Sequence, residues 1–366
     1  MAAEKSIYSL RYKGRQSLEV VDLFCGIGGL SYGLKRMGFK IKAGFDFDGT
    51  CEYAYSKNNK ADFIYKDIRD VSKEDVNQYY TQGSIRVLAG CAPCQPFSSY
   101  NNKKQKDPDK FDLLYEFGRL VNEVQPDIIT MENVSNIISF NLKPVFPDFL
   151  ECLYDNHYHV TYESVFCPDY GMPQTRKRLV LIASKYSDII ILPKTCPKKK
   201  YHTVYDAIGN LLPIDAGGKD PNDPLHRARS LTAVNMRRIK STPIGGSWKD
   251  WPEELVLECH KKDGGKSFGS VYGRMKWEEP APTMTTECTG IGNGRFGHPE
   301  QNRAISLREA ALLQTFPMVY KFFPDENSIS FAKASRYIGN AVPPRLGMMI
   351  GASILEHLRN NNIINP

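Results

Sequence analysis

The stretch Gly90-Cys91-Ala92-Pro93-Cys94-Gln95-Pro96-Phe97-Ser98-Ser99 sets a cysteine between a proline and a polar loop, directly after the apolar run Ile85 to Gly90. A thiolate in such a place is a strong nucleophile near neutral pH. Cys91 and Cys94 also have the spacing of a redox couple, or of half a zinc site. No second C-x-x-C completes a zinc site, so no metal is expected. A redox couple normally carries its second cysteine at a helix N-terminus, and here a proline-interrupted polar loop follows instead. Cys94 therefore reads as a nucleophile. Glu132, in Thr130-Met131-Glu132-Asn133-Val134, is a carboxyl at the end of another apolar run. Arg176 and Arg178, in Gln174-Thr175-Arg176-Lys177-Arg178, suit a polar substrate atom, a phosphate or an ion-pair partner equally well.

A second constellation points to a small-molecule ligand. Asp22-Leu23-Phe24-Cys25-Gly26-Ile27-Gly28-Gly29 ends an apolar run in glycines, which let backbone approach a ligand closely. The spacing is G-x-G-G and not G-x-G-x-x-G, so it implies no pyrophosphate cradle. About 20 residues on, Asp46 could take ribose hydroxyls and Phe47 could stack on a purine. Asp67 could meet an adenine amine, with Ile68 beside it. Three successive strand ends thus offer adenosine contacts without a phosphate site, which favours S-adenosylmethionine over a dinucleotide.

These residues need a scaffold that brings strand ends together. Leu18 to Phe24, Lys40 to Asp46, Asp62 to Lys66, Ile85 to Gly90, Asp127 to Met131 and Leu179 to Ala183 read as strands. Helical spacing marks the stretch after Gly29 as far as Met37, Cys51 to Lys57 and Phe111 to Val124. The alternation predicts an α/β fold with a parallel sheet covered on both faces. After about Tyr186 the sequence turns rich in Gly, Pro, Lys and Arg and loses its periodicity. Helical patterns return at Leu307 to Phe316 and at Arg345 to Leu358, after a Pro-Pro that suits a helix start. The expected organisation is 1–186 as the first part of a catalytic domain, 187–303 as a smaller irregular domain, and 304–366 as the return to the first.

The 366 residues suffice for two cores, and 41% hydrophobic with 24% charged residues is ordinary for a soluble protein. No apolar run is long enough to span a membrane and no secretory signal opens the chain, so a cytoplasmic protein is expected. Nine cysteines at irregular spacing fit free thiols in a reducing compartment. The net charge of +7 leans weakly toward a polyanion. Its distribution says more: Arg227, Arg229, Arg237, Arg238 and Lys240 lie together without an acid, and Lys194, Lys198, Lys199 and Lys200 form a second group. Both suit phosphate contacts, or simply a solvated surface.

With these residues in place, a resemblance becomes plain. Phe24-Cys25-Gly26-Ile27-Gly28-Gly29, Pro93-Cys94-Gln95, Glu132-Asn133-Val134 and Gln174-Thr175-Arg176-Lys177-Arg178 resemble the first, fourth, sixth and eighth blocks of the cytosine-C5 DNA methyltransferase family. Arg303 to Pro317 resembles the ninth block and Ile338-Gly339-Asn340-Ala341-Val342-Pro343-Pro344 the tenth. The blocks run in the family's order from about Leu18 to Leu358. Two departures stand out: Cys91-Ala92 where Gly-Pro is more usual, and Phe47 where tryptophan is common. The resemblance implies a Rossmann-like S-adenosylmethionine-dependent domain and a target-recognition domain.

For the site, it implies that Cys94 adds to cytosine C6, Glu132 serves N3, Arg178 binds O2 and Arg176 supports them. It also implies that the cofactor meets Phe24, Gly26, Gly28, Gly29, Asp46, Phe47, Asp67, Ile68, Pro93 and Asn340. The target base would be flipped out of double-stranded DNA, with the loop Ser98 to Lys110 closing over it. The size resembles monomeric bacterial or phage enzymes, either paired with a restriction endonuclease or orphan. Two rivals remain: methylation of tRNA, against which the large intervening domain argues, and DNA binding without chemistry, against which Cys94, Glu132 and Arg178 argue.

Overall fold

The computed structural model describes residues 7–93, 112–139 and 144–365. Cys94 and the loop expected over 98–110 lie outside them. Among the described residues seven strands form one sheet: β1 (Leu18–Leu23), β2 (Lys40–Asp46), β3 (Asp62–Tyr65), β4 (Ile85–Gly90), β5 (Ile128–Asn133), β6 (His159–Phe166) and β7 (Lys177–Ser184). Their order is β3-β2-β1-β4-β5-β7-β6. Every residue of β1 and of β5 is buried, the polar Glu19, Asp22, Thr130, Glu132 and Asn133 included, so neither strand has a water-facing side.

The expected parallel sheet holds for the five strands β3-β2-β1-β4-β5. It fails at β7, which runs antiparallel to both β5 and β6. The sequence pattern also hides β6, because that edge strand keeps Glu163 and Ser164 exposed and carries no sustained apolar run. The reversal of β7 has a consequence for the site. Its amino end, Lys177-Arg178, lies at the same edge of the sheet as the carboxyl ends of its parallel neighbours.

Helices cover both faces. On one, Asp112–Val124 buries Leu114, Phe117, Leu120, Val121 and Val124, a single stripe at three- and four-residue spacing. With Phe146, Phe149 and Leu153 of the helix Val145–Asp155 it packs on Val21, Leu23, Leu88, Ile129 and Met131 of the sheet. The C-terminal helix Pro344–Asn360 serves the opposite face, where its His357 meets the Ser184 hydroxyl of β7 at 2.7 Å. That helix also packs on Gly29–Arg36. The two backbones nearly touch: a Cβ added at Gly33 would fall 2.3 Å from the Pro344 carbonyl oxygen and 2.7 Å from Gly347.

The chain divides into two compact units. The first comprises Met1–Phe166, Lys177–Thr195 and Ala341–Pro366, and the second Cys167–Arg176 and Cys196–Asn340. The boundaries thus differ from those expected from composition, since 304–340 packs within the second unit. The reason is a set of contacts that composition cannot reveal. Arg303, fully buried, forms a two-pronged ion pair with Glu309, each N–O distance being 2.7 Å. Glu309 also closes a capping box with Ser306 at the start of the helix Leu307–Leu313.

Elsewhere this unit is mostly loops and short helices, so its buried carbonyls lack ladder partners. Buried Arg274 supplies donors instead, to the carbonyls of Thr242, Ile239, His298 and Gln301.

The close helix crossing makes a prediction. Gly33→Ala adds a methyl where neither backbone can yield, so it should destabilise the first unit by about 1–3 kcal/mol despite alanine's better helix propensity. Thermal unfolding of the two proteins checks this; an unchanged or higher midpoint would show that the crossing has slack.

Candidate active site

Parallel strands place their carboxyl ends at one edge, and a ligand crevice opens where the strand order reverses direction. Here that switch lies between β1 and β4. Leu23 pairs with Gly90, Gly90 with Met131, and Leu23 with Phe45. The glycine turn, the Cys91 loop, Glu132 and Asp46 therefore project from one edge of one sheet.

The glycine turn follows β1 through left-handed backbone at Phe24 (φ 56°), Gly26 (φ 50°) and Gly28 (φ 84°). The two glycines differ in what they leave room for. A Cβ at Gly28 would strike Asn59 and Tyr55, so that glycine permits packing. A Cβ at Gly26 would meet nothing within 4 Å, so it faces open space. Asp46 holds the turn in place, accepting the Gly26 N–H at 2.7 Å through one oxygen and the Asp48 N–H at 2.9 Å through the other. Burial raises the Asp46 carboxyl above its usual range, and those two donors offset part of the rise. Phe47, next along, is 63% exposed, an open apolar ring at the site's edge.

Asp67 is engaged in a way its place in the sequence does not reveal. Arg69 grips both of its oxygens, at 3.0 and 2.6 Å, and holds the carboxyl below its usual range. Ile68 beside it is buried. Beneath the turn, Asp22 is buried and accepts the Ser31 hydroxyl at 2.5 Å. Burial pushes its carboxyl up to about 7; the Ser31 hydrogen bond opposes this and nearby Asp46 adds to it.

On the other side of the crevice, Glu132 is 3% exposed near the end of β5. One oxygen accepts the Cys91 thiol at 3.0 Å, and the other faces Arg178 Nε at 3.1 Å. Asn133 donates to the Ala92 carbonyl at 3.2 Å, tying the end of β5 to the loop that runs through Pro93 toward Cys94. The structure thus brings Glu132 and Arg178 together. Arg176, two residues away, belongs to the second unit, where its guanidinium donates to the carbonyls of Met284 and Gly339. Asn340 also falls in that unit, at the end of the helix Phe331–Asn340.

Residues 18–356 match the family described as C-5 cytosine-specific DNA methylase. The chain belongs to that family. It is 52% identical over 339 residues to the type II methylase M.HgiDII of Herpetosiphon aurantiacus, a match covering 93% of this chain and 95% of that one. It is 30% identical to the type II methyltransferase M.DdeI of Desulfomicrobium norvegicum, across 95% of this chain and 91% of that one. A crystal structure of a prophage-encoded DNA modification methyltransferase from E. coli shares its fold. The TM-score is 0.71 at 23% identity, covering 94% of this chain and all of that one. The chain is thus a cytosine-C5 DNA methyltransferase, of a family whose members use S-adenosylmethionine.

The residues at the crevice suit that cofactor. Gly26 leaves open space, Phe47 offers a free ring, and Asp46 offers acceptors for hydroxyls beside a cationic sulfonium. Among the described residues no helix is long and apolar enough to cross a membrane.

The methyltransferase's buried Asp22 carries a pH signature. Its carboxyl binds a proton more tightly folded (about 7) than unfolded (3.8), so its contribution to stability is full below the unfolded value and lost as pH rises through the folded one. Asp22→Asn mimics the protonated form. Wild type should lose stability relative to this variant between about pH 5 and about pH 8. Denaturant titrations at both pH values test this, and a constant difference would show that Asp22 stays in one protonation state throughout.

Proposed function

We propose that this enzyme methylates cytosine within one specific duplex sequence, as the protecting partner of a type II restriction endonuclease. We infer that it does so through a covalent bond from Cys94 to C6 of a cytosine turned out of the helix. The observation that carries the reading is the placement of buried Glu132, on the strand neighbouring the one whose loop leads to Cys94. Similarity to type II methylases over nearly the whole chain supports the biological setting.

Cytosine C5 is a poor nucleophile, and the proposed chemistry remedies that. The Cys94 thiolate adds to C6, which moves electron density onto C5 and toward N3. Glu132 donates a proton or a hydrogen bond at N3 as that charge develops. Arg178, held by Glu132, binds the cytosine O2 and fixes the ring. Bound S-adenosylmethionine supplies an electrophilic methyl group for C5. Loss of the C5 proton to water and return of the N3 proton to Glu132 then allow the Cys94–C6 bond to break, freeing the thiolate.

Gly26, Gly28, Gly29 and Phe24 would line the cofactor from the turn, with Asp46 at the ribose, Phe47 and Ile68 at the purine, Asp67 at its amine and Pro93 toward the methyl. Asn340 and Arg176 are assigned to the site by resemblance to the family's blocks.

If the thiol of Cys94 acts on the base, Cys94→Ala should abolish methyl transfer while leaving cofactor affinity within about twofold. Duplex substrate carrying 5-fluorocytosine should trap a covalent adduct on Cys94, since fluorine cannot leave as a proton does. An adduct that maps to Cys91 would overturn the assignment.

DNA binding offers a separate test. Of the cluster expected to meet phosphate, Arg227 bonds to Pro224 and Glu326, Arg229 to Thr289, and Arg238 to Leu255 while lying over Trp251. Arg237 and Lys240 are exposed, three residues apart on the helix Ala233–Ser241, with Arg237 3.9 Å from a carboxylate oxygen of equally exposed Glu254. Replacing both with alanine should flatten the log–log salt dependence of DNA binding by about 0.9 for each phosphate that is no longer neutralised. A slope unchanged in fluorescence titrations would place both side chains away from DNA.

A further inference from the structure

We infer that Cys91 is a positioning residue for methyl transfer: its thiol holds the Glu132 carboxyl in the orientation that serves cytosine N3. This rests on the role proposed above for Glu132. Glu132 sits on β5, almost wholly buried, with one oxygen 3.1 Å from Arg178 Nε. That interaction alone leaves the carboxyl free to rotate about its last bond. The second anchor is the Cys91 Sγ, 3.0 Å from the other oxygen, which is close for a sulfur donor. Arg178 and Cys91 approach from opposite sides, on β7 and on the loop after β4; the Arg178 contact is an ion pair without a hydrogen bond to that oxygen, so the Cys91 thiol supplies the directional anchor that fixes the plane of the carboxyl.

The neighbouring hydrogen bonds point the same way. Asn133 ties its strand end to Ala92, the residue after Cys91, so the loop cannot slide relative to Glu132 without breaking a buried hydrogen bond. Position 91 is also where this chain departs from the Gly-Pro more usual in the family, and glycine has no side chain to offer a carboxyl. The departure thus adds a donor at a place where it reaches Glu132. A carboxyl oriented in advance reaches the transition state without first ordering its last torsion, so its loss should appear in turnover rather than in substrate affinity. No covalent chemistry is assigned to Cys91.

The experiment compares Cys91→Ala, Cys91→Ser and Glu132→Gln in the full-length enzyme, with cofactor and cognate duplex. Cys91→Ala should lower the single-turnover rate about tenfold, the effect of removing one orienting hydrogen bond, with KM for DNA and cofactor affinity little changed. Cys91→Ser, which keeps a donor, should recover most of that loss. The infrared S–H band that disappears in Cys91→Ala should lie below the frequency of a free thiol in wild type, and should shift upward in Glu132→Gln.

A Cys91→Ala enzyme with wild-type turnover, a serine variant no better than alanine, or an S–H band indifferent to Glu132→Gln would each overturn the inference. Glu132→Gln separates this from the underlying reading. If that variant turns over normally, the acid role of Glu132 falls. If it is inactive while Cys91→Ala is not, only the role of Cys91 falls.

Discussion

The register of β1 against β4, and of β4 against β5, is the constraint on which the site depends. Because side chains alternate across a strand, a slip of one residue would carry every side chain to the opposite face of the sheet. Burial of both faces of β1 and β5 makes such a slip costly, since every residue of those strands is out of water. The same register aligns Leu23, Gly90 and Met131, and so brings a glycine turn, a cysteine loop and a buried carboxyl to a common edge. The antiparallel strand β7 completes the arrangement by delivering Arg178 to that edge from its amino end. Four separate stretches of sequence meet there because the sheet leaves them no alternative.

That edge is also where the interior stops being apolar. Asp22, Asp46 and Glu132 are all carboxyls on or at the ends of central strands, and Asp22 and Asp46 are raised by burial. A polar group placed there costs free energy unless it is hydrogen-bonded. The hydrogen bonds found are those that fix the backbone around the crevice: Asp46 to Gly26 and Asp48, Asp22 to Ser31, Asn133 to Ala92. The second unit handles its polar interior differently. With few strands or long helices, it relies on buried arginines, Arg303 on Glu309 and Arg274 on backbone carbonyls.

Much of this is legible in residue order. The buried runs from Leu18 to Phe24 and from Ile85 to Gly90 have one physical interpretation, and the glycine and cysteine motifs fall just past them. What stays hidden is pairing over long distances. Nothing in Leu179 to Ala183 tells its direction, because a strand buried on both faces looks alike parallel or antiparallel. Nothing in His159 to Phe166 marks an edge strand whose polar residues face water. Arg176 and Arg178 look equivalent in sequence, yet one bonds carbonyls in the second unit and the other faces Glu132 in the first. The basic residues after Leu225 look like a phosphate-binding row, yet Arg227, Arg229 and Arg238 are each taken up by partners within the protein. The thiol of Cys91 reads as half of a pair with Cys94, whereas its partner in the fold is a carboxyl 41 residues away.

The order of segments also constrains how the enzyme is made. The first unit is built from three stretches, the last of which begins at Ala341, after the second unit is finished. Its helix Pro344–Asn360 meets Gly29–Arg36 at the Gly33–Gly347 crossing, so the crossing closes a loop of roughly 300 residues, at an entropic cost of about 5 kcal/mol if the intervening chain were unstructured. Prior folding of the second unit shortens that loop, since Cys196–Asn340 then behaves as one body rather than as free chain. The insertion is therefore an aid to closure as well as a separate unit. Until the final helix emerges, the helix Gly29–Arg36 lacks the partner it meets at Gly33.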